Sequence, residues 1–375
     1  MILTNCPVCA APLPPTSAKQ CSRCKTRYCG PECQKTHWEE GGHDKLCRKI
    51  RKGGGAEQYH ADTRYKEALK VAVEKCAEDV KGQTCYICTQ ALHWKTKEGL
   101  VRGCSCRGTA GFAHVSCLAE QAKILCDEAE ENNLDDKVLN ERFDRWYSCS
   151  LCEQKYHGVV ACALGWACWK MYVGRSEVDW SRLMTMNVLG HGLTAAEHHE
   201  DALNVREAEL SMRRRLGQSE HNMLVAQMNL AITYRALGRL DEASRMQRDV
   251  YSGRLKLNGE EHLETLRAAY NYAVSLSNLK RFKEAKAQFH KMFPVARRVL
   301  GESQLTLQMR WNYAEALYQN AGATLDDLRE AVATLEDTER TARRVLGGAH
   351  PDVLAIEKSL RNSRAALDTR ETASA

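Results

Sequence analysis

The chain has 375 residues, 43% of them hydrophobic and 27% charged, with 54 basic residues against 48 acidic ones. That length allows two or three domains with buried cores, and a net charge of +6 is too mild to call for nucleic acid by itself. No stretch reaches the roughly 18 apolar residues of a membrane span. The best candidate, Val159–Trp169, is eleven residues long and carries two cysteines, so it reads as a buried helix. The opening MILTNCPVC has no basic stretch before an apolar run, and no secretory leader is expected.

Cysteine is the anomaly. There are 18, and 13 fall before residue 118, six of these as Cys-x-x-Cys pairs. Two thiolates at that spacing reach one tetrahedral zinc ion from a tight turn, whereas disulfides suit short secreted chains. The first cluster runs Cys6-x-x-Cys9, Cys21-x-x-Cys24, Cys29-x-x-x-Cys33 and His43-x-x-x-Cys47. Seven cysteines and one histidine suffice for two four-coordinate ions, and so short a segment needs metal to fold. His43 and Cys47, at i and i+4, share one helix face. His37 competes with His43, but its distance from Cys47 fits worse. A redox role would need only one dithiol.

The stretch CSRCKTRYCGPECQKTHWEEGGHDKLC resembles the MYND zinc finger, with Tyr28-Cys29, Cys33-Gln34 and Trp38 at family positions. Gly41-Gly42 lengthens the usual gap before the histidine. The resemblance implies cross-bracing: Cys6, Cys9, Cys29 and Cys33 hold one ion, and Cys21, Cys24, His43 and Cys47 the other. It also implies docking of short, often proline-containing peptides. Tyr28 and Trp38 are either the exposed aromatics of such a groove or the finger's small core.

A basic, glycine-rich tether, RKIRKGGG at 48–55, follows. Tyr65, Leu69, Ala72, Val73 and Cys76 form one helical stripe, which predicts a helix over about 57–80. The second cluster runs Cys85-x-x-Cys88, Cys104-x-Cys106, His114-x-x-Cys117 and Cys149-x-x-Cys152. Its order, with seven residues between Cys106 and His114, resembles the RING-CH (RING-variant) finger. The resemblance implies one site from Cys85, Cys88, His114 and Cys117, and another from Cys104, Cys106, Cys149 and Cys152. The segment between the last two pairs reads as a helix and then an acidic loop, with Cys126 a small buried hydrophobe.

Fingers of this kind recruit a ubiquitin-loaded conjugating enzyme and position its thioester without a nucleophile of their own. By the resemblance, Ile87 is the apolar contact for that enzyme and Trp146 an aromatic wall beside it. Glu153 departs from the pattern, since the position after the last cysteine often carries a basic residue that bonds the ubiquitin carbonyl. Lys155 comes two residues late.

Beyond residue 160 a repeat begins. Leu-Gly or Asn-Gly at 216–217, 258–259, 300–301 and 346–347 recurs at intervals of 42, 42 and 46 residues. Between them recur MNLAITY, YNYAVSL and WNYAEAL, then GRLDEA, KRFKEA and DDLREA. A degenerate copy starts near Gly174, and a last helix over about 351–366 caps the stack. The units read as helix hairpins that stack to bury their apolar stripes. They resemble tetratricopeptide (TPR) repeats of the kinesin-light-chain type. Arg213-Arg214-Arg215, Arg297-Arg298 and Arg343-Arg344 sit in last helical turns, where the helix dipole favours them; an acidic-partner ridge is the sharper alternative. Asn229, Asn271 and Asn312 recur on first helices, either bonding a peptide or bracing neighbouring repeats.

The expected architecture is mainly α: two small cross-braced zinc fingers followed by an α-helical TPR-like solenoid. The expected boundaries are 1–50 for the MYND-type finger, 51–80 for linker and helix, 81–157 for the RING-CH-type finger, 158–366 for the repeats and 367–375 for a tail. Four zinc ions, two per finger, are expected. No SET core, phosphate loop or nucleophile elbow is found, and no catalytic residue is assigned. Two functional classes stay open: a ubiquitin ligase recruiting substrate through the repeats and the MYND finger, or a non-catalytic adaptor scaffold. Expected partners are proteins or peptides and, for the ligase, a conjugating enzyme. Nucleic acid is disfavoured because neither finger has the two-cysteine, two-histidine spacing. The expected location is intracellular, cytoplasm or nucleus.

Overall fold

A computed structural model of the chain describes residues 5–11, 13, 17–348 and 350–374; residues 1–4, where the leader reading begins, and residue 375 of the expected tail lie outside them. The described chain divides into two compact units, 1–217 and 218–375.

In the first unit, the 6–47 cluster carries a short antiparallel pair, β1 (Lys19–Gln20) and β2 (Arg27–Tyr28), then α1 (Pro31–Glu39) and α2 (His43–Lys52). Gly42, at φ 71°, ends the α1–α2 turn and starts α2 at His43. Helix α3 (Ala56–Cys76) begins after the glycine tether and stops four residues before the expected end. The second cluster contributes α4 (Val115–Glu131). The expected acidic loop contains a further helix, α5 (Asp136–Phe143), because Asp135 caps it by accepting the Val138 N–H. A 3-10 turn, Asp144–Trp146, leads to the last cysteine pair.

The centre of this unit is α6 (Gly158–Tyr172), buried along nearly its whole length as its composition suggests. It packs against α3, α4 and α7 (Trp180–Ala195). Gly165 and Gly192 bring α6 and α7 close together: a methyl at Gly192 would overlap the Ala161 carbonyl, and one at Gly165 would stand 3.1 Å from Leu189 Cα. Helix α8 (His199–Arg215) pairs with α7 and carries a buried ion triad, in which Glu209 accepts from Arg206 at 3.1 Å and Arg213 at 2.9 Å.

The second unit consists of successive hairpins: α9 (Glu220–Ala236) with α10 (Leu240–Asn258), α11 (Leu263–Asn278) with α12 (Phe282–Leu300), and α13 (Gln304–Tyr318) with α14 (Leu325–Leu346). Each helix contacts the next, and α15 (Pro351–Ser374) packs on α14 and α13, running longer than the sequence pattern indicates. Ser219, Ser303 and Thr324 cap α9, α13 and α14 with side-chain oxygens. Gly259, Gly301 and Gly347 end the second helices at positive φ, which accounts for the recurring glycine. This stack of hairpins is a TPR-like solenoid. Within it Asn312 donates to Tyr270 Oη at 3.0 Å, bracing neighbouring first helices. Several of the last-turn arginines are tied down: Arg298 pairs with Glu261, and Arg343 with Glu339 and Glu357.

Candidate metal centres and finger surfaces

Four knuckles organise the cysteines. In each Cys-x-x-Cys the first cysteine's N–H donates to the carbonyl two residues past the second: Cys6 to Ala11, Cys21 to Thr26, Cys85 to Gln90 and Cys149 to Gln154. The residue after the second cysteine donates back to the first one's carbonyl, from Ala10, Lys25, Thr89 and Glu153. All four of these residues adopt left-handed backbone, with φ of 57°, 64°, 61° and 55°. The turn aims both thiols of a pair at one point. In two knuckles an N–H also faces the first sulfur, from Ile87 to Cys85 Sγ and from Leu151 to Cys149 Sγ, each at 3.4 Å.

The chain thereby brings together four groups of donors: Cys6, Cys9, Cys29 and Cys33; Cys21, Cys24, His43 and Cys47; Cys85, Cys88, His114 and Cys117; and Cys104, Cys106, Cys149 and Cys152. Within each group the donor atoms lie inside 4.8 Å of one another. A tetrahedral ion with Zn–S bonds of about 2.3 Å needs sulfurs about 3.8 Å apart. Cys21 and Cys47 stand at 3.8 Å, as do Cys106 and Cys149, and Cys29 stands somewhat closer, 3.4 Å from both Cys9 and Cys33. His43 Nε2 is 3.4 Å from Cys24 Sγ, and His114 Nδ1 is 3.4 Å from Cys88 Sγ and 3.6 Å from Cys117 Sγ. The four clusters therefore fit four zinc ions, one set per interleaved pair of loops.

The two histidines face their sulfurs through different nitrogens. His114 leaves Nε2 to donate to the Ala91 carbonyl at 3.4 Å, an outer bond of the kind that fixes a ligand's tautomer. His43 leaves Nδ1 buried without a partner among the rings of Tyr28, His37 and Trp38. His37 lies outside the donor group and bonds the Tyr28 hydroxyl through Nδ1 at 3.0 Å. Tyr28 is thus fully buried, whereas Trp38 is exposed. With no cation the thiols within a group divide: despite burial, hydrogen bonds from backbone N–H groups hold Cys6 down at about 6, whereas neighbouring Cys29 pushes Cys33 up to about 12, and burial pushes Cys47 to about 12. A divalent cation removes the penalty on the raised thiols.

The remaining cysteines are packing residues. Cys76, Cys126, Cys162 and Cys168 lie in the core of the first unit, and burial pushes Cys126 and Cys162 up to about 11.

On the second finger Ile87 is 36% exposed, at the third position of its knuckle. Trp146 is only 2% exposed and meets Tyr172 edge-on at 6.2 Å, so its ring belongs to the core of the first unit and is not on the finger's surface. Sequence reasoning missed Leu151, which is 52% exposed and occupies the third position of the last knuckle, equivalent to Ile87. The adjoining residues tie the two knuckles together, with Tyr86 Oη 3.1 Å from Ser150 Oγ. Reading the two Cys-x-x-Cys tips against each other, YI and SL, was the signal available.

Comparison with known proteins agrees in kind. The family model for the MYND finger matches residues 6–47, that for the RING-variant domain residues 85–134, and that for the tetratricopeptide repeat residues 222–298. The RING-variant match stops short of Cys149 and Cys152, which the structure nonetheless brings to Cys104 and Cys106. No curated protein matches the chain. Among solved structures, the putative kinesin light chain TPR-like repeats of Podosopora anserina are 20% identical, covering 62% of this chain and 98% of that one with a TM-score of 0.41. BtubC of P. vanneervenii is 15% identical, covering 69% and 90% at 0.38. A Rap protein complexed with Competence and Sporulation Factor is 15% identical, covering 68% and 72% at 0.38. The domains present are protein-interaction modules, and among the described residues no helix is long and apolar enough to cross a membrane.

Proposed function

We propose that the chain is a recruiting ubiquitin ligase of the RING-variant kind. Its second finger docks a ubiquitin-conjugating enzyme, and its repeats and first finger hold the protein to be modified. The observation that carries this reading is the exposed pair Ile87 and Leu151, set at equivalent positions of two knuckles and joined by the Tyr86–Ser150 bond. An apolar pair on a rigid turn presents a preorganised contact at little entropic cost. Zinc, when bound, supplies the cross-links that make the turns rigid; the chain's own side chains do the docking.

In this mechanism Cys85, Cys88, His114 and Cys117 fix the Ile87 turn, and Cys104, Cys106, Cys149 and Cys152 fix the Leu151 turn. Trp146 is buried in the core, so the wall role expected of it passes to exposed Leu151. No group on the finger acts as nucleophile or base. The conjugating enzyme's thioester reacts with a lysine that the finger helps to position.

One observation favours the second reading, a non-catalytic adaptor. Glu153 places a carboxylate directly after the last ligand, where a positive donor to the ubiquitin carbonyl would serve, and it occupies the left-handed corner of that knuckle. Autoubiquitination by the zinc-loaded chain with a panel of conjugating enzymes separates the two. Ubiquitin chains lost in Ile87→Ala support the ligase. Silence in wild type and in Glu153→Arg, with four zinc ions bound, leaves the adaptor.

A further inference from the structure

The loop after the second finger's first knuckle copies the knuckle fold without its cysteines. In HWKTKE, the His93 N–H donates to the Glu98 carbonyl at 3.0 Å and the Lys97 N–H donates to the His93 carbonyl at 2.9 Å. Lys97 is left-handed, with φ of 58°. These are the two bonds and the corner of every Cys-x-x-Cys turn in the chain, with His93 and Thr96 standing where the thiols stand. Side chains replace the ion. The Thr96 hydroxyl and N–H lie 2.8 and 3.1 Å from His93 Nδ1. Buried Glu98 accepts from the Thr96 hydroxyl at 3.0 Å and from the Ser116 N–H and hydroxyl at 2.7 Å each. The His93 ring packs against that of the candidate zinc ligand His114, with centroids 5.3 Å apart.

This clamped turn displays the most exposed aromatic among the chain's large exposed hydrophobics: Trp94 is 68% exposed and Leu92, beside it, 58%. Lys95 and Lys97 are exposed on the same tip, and their ammonium groups make no ion pair among the described residues. Glu98 does not offset them at the surface, because its carboxylate is buried and takes three donors. Tryptophan is enriched among binding hot spots, and Leu92 adds apolar surface on the same rigid turn. Two unpaired lysines around it select a negative partner.

We propose that the 92–97 loop docks an acidic peptide segment carrying an apolar residue, with Trp94 as anchor and Lys95 and Lys97 as the flanking charges. Charge complementarity argues for that occupant. Single-stranded nucleic acid fits less well, because it needs a basic groove with successive stacking aromatics, and this tip offers one.

The test uses the full zinc-loaded chain. A random 12-residue phage-displayed peptide library is panned on wild type and, in parallel, on Trp94→Ala, and the strongest peptide is then measured by fluorescence anisotropy. A mixed-sequence single-stranded DNA oligonucleotide is titrated alongside. Peptides recovered on wild type only, rich in Asp and Glu around an apolar residue, are expected. Their affinity should fall at least tenfold in Trp94→Ala. It should also fall in Lys95→Glu/Lys97→Glu, which keeps four zinc ions and the same melting temperature. Recovery of the same peptides on both proteins overturns the proposal, as does a basic or neutral consensus. Tighter Trp94-dependent binding of the oligonucleotide overturns it in favour of nucleic acid.

Discussion

The Tyr86 and Ser150 hydroxyls lie 3.1 Å apart, so the second residues of the finger's first and last knuckles are bonded across 64 positions of sequence. Each belongs to a different metal group, and the bond registers one against the other. The surface consequence is that Ile87 and Leu151 are held in fixed relation. Tyr86→Phe or Ser150→Ala should leave zinc content at four and lower the stability of the finger by about 0.5–1.5 kcal/mol. Conjugating-enzyme binding should fall with it, read by titration calorimetry. Unchanged binding in both variants would show that the tie is dispensable.

Zinc removal should affect the two units differently. A strong chelator should release four zinc ions per chain, since a short cysteine-rich finger derives its folding free energy from the metal. Hydrogen exchange should then rise across residues 5–50 and 81–157. The helices of 218–375, which have their own apolar core, should keep their protection. Cys33→Ala alone should reduce the bound metal by one ion. Loss of protection throughout 218–375 on chelation would contradict this independence.

The buried triad on α8 should be the most sensitive charged site in the first unit. Glu209 holds Arg206 and Arg213, all three nearly inaccessible. Glu209→Gln leaves two guanidinium groups buried without a counter-charge, and a loss of about 3–5 kcal/mol is expected in urea unfolding. A change under 1 kcal/mol would mean that water or rearrangement reaches the pair.

At Gly192 two effects oppose each other. Replacing a helical glycine with alanine favours the helix by about 1 kcal/mol. The new methyl, however, overlaps the Ala161 carbonyl across the α6–α7 contact, and overpacking of that kind costs about 1–3 kcal/mol. Gly192→Ala should therefore lower the melting temperature, whereas Gly174→Ala, whose added methyl meets nothing within 4 Å, should not.

Much of this arrangement was legible in the sequence because zinc ligands and helix hairpins both leave strict spacing. The knuckles need two cysteines around a tight turn, and the hairpins need an apolar stripe broken by glycine. Helix α5 was hidden because its residues read as an acidic loop, and only the Asp135 cap betrays it. Trp146 occupies the expected position in sequence, yet its burial depends on Tyr172, 26 residues later on α6. The exposure of Leu151 follows from the same three-dimensional packing. The 93–98 turn carries no spacing signal at all, since hydrogen bonds from Thr96 and Ser116 do there what cysteines do elsewhere.

A ligase finger of this kind must speed the transfer of ubiquitin from a conjugating enzyme's thioester. The most direct measurement is single-turnover discharge: a conjugating enzyme preloaded with ubiquitin is mixed with free lysine and the zinc-loaded chain, and thioester loss is timed. Wild type should accelerate discharge, Ile87→Ala and Leu151→Ala should each abolish most of the acceleration, and Glu153→Arg should increase it. Discharge at the uncatalysed rate with every conjugating enzyme tried, in wild type and Glu153→Arg alike, would contradict the ligase reading.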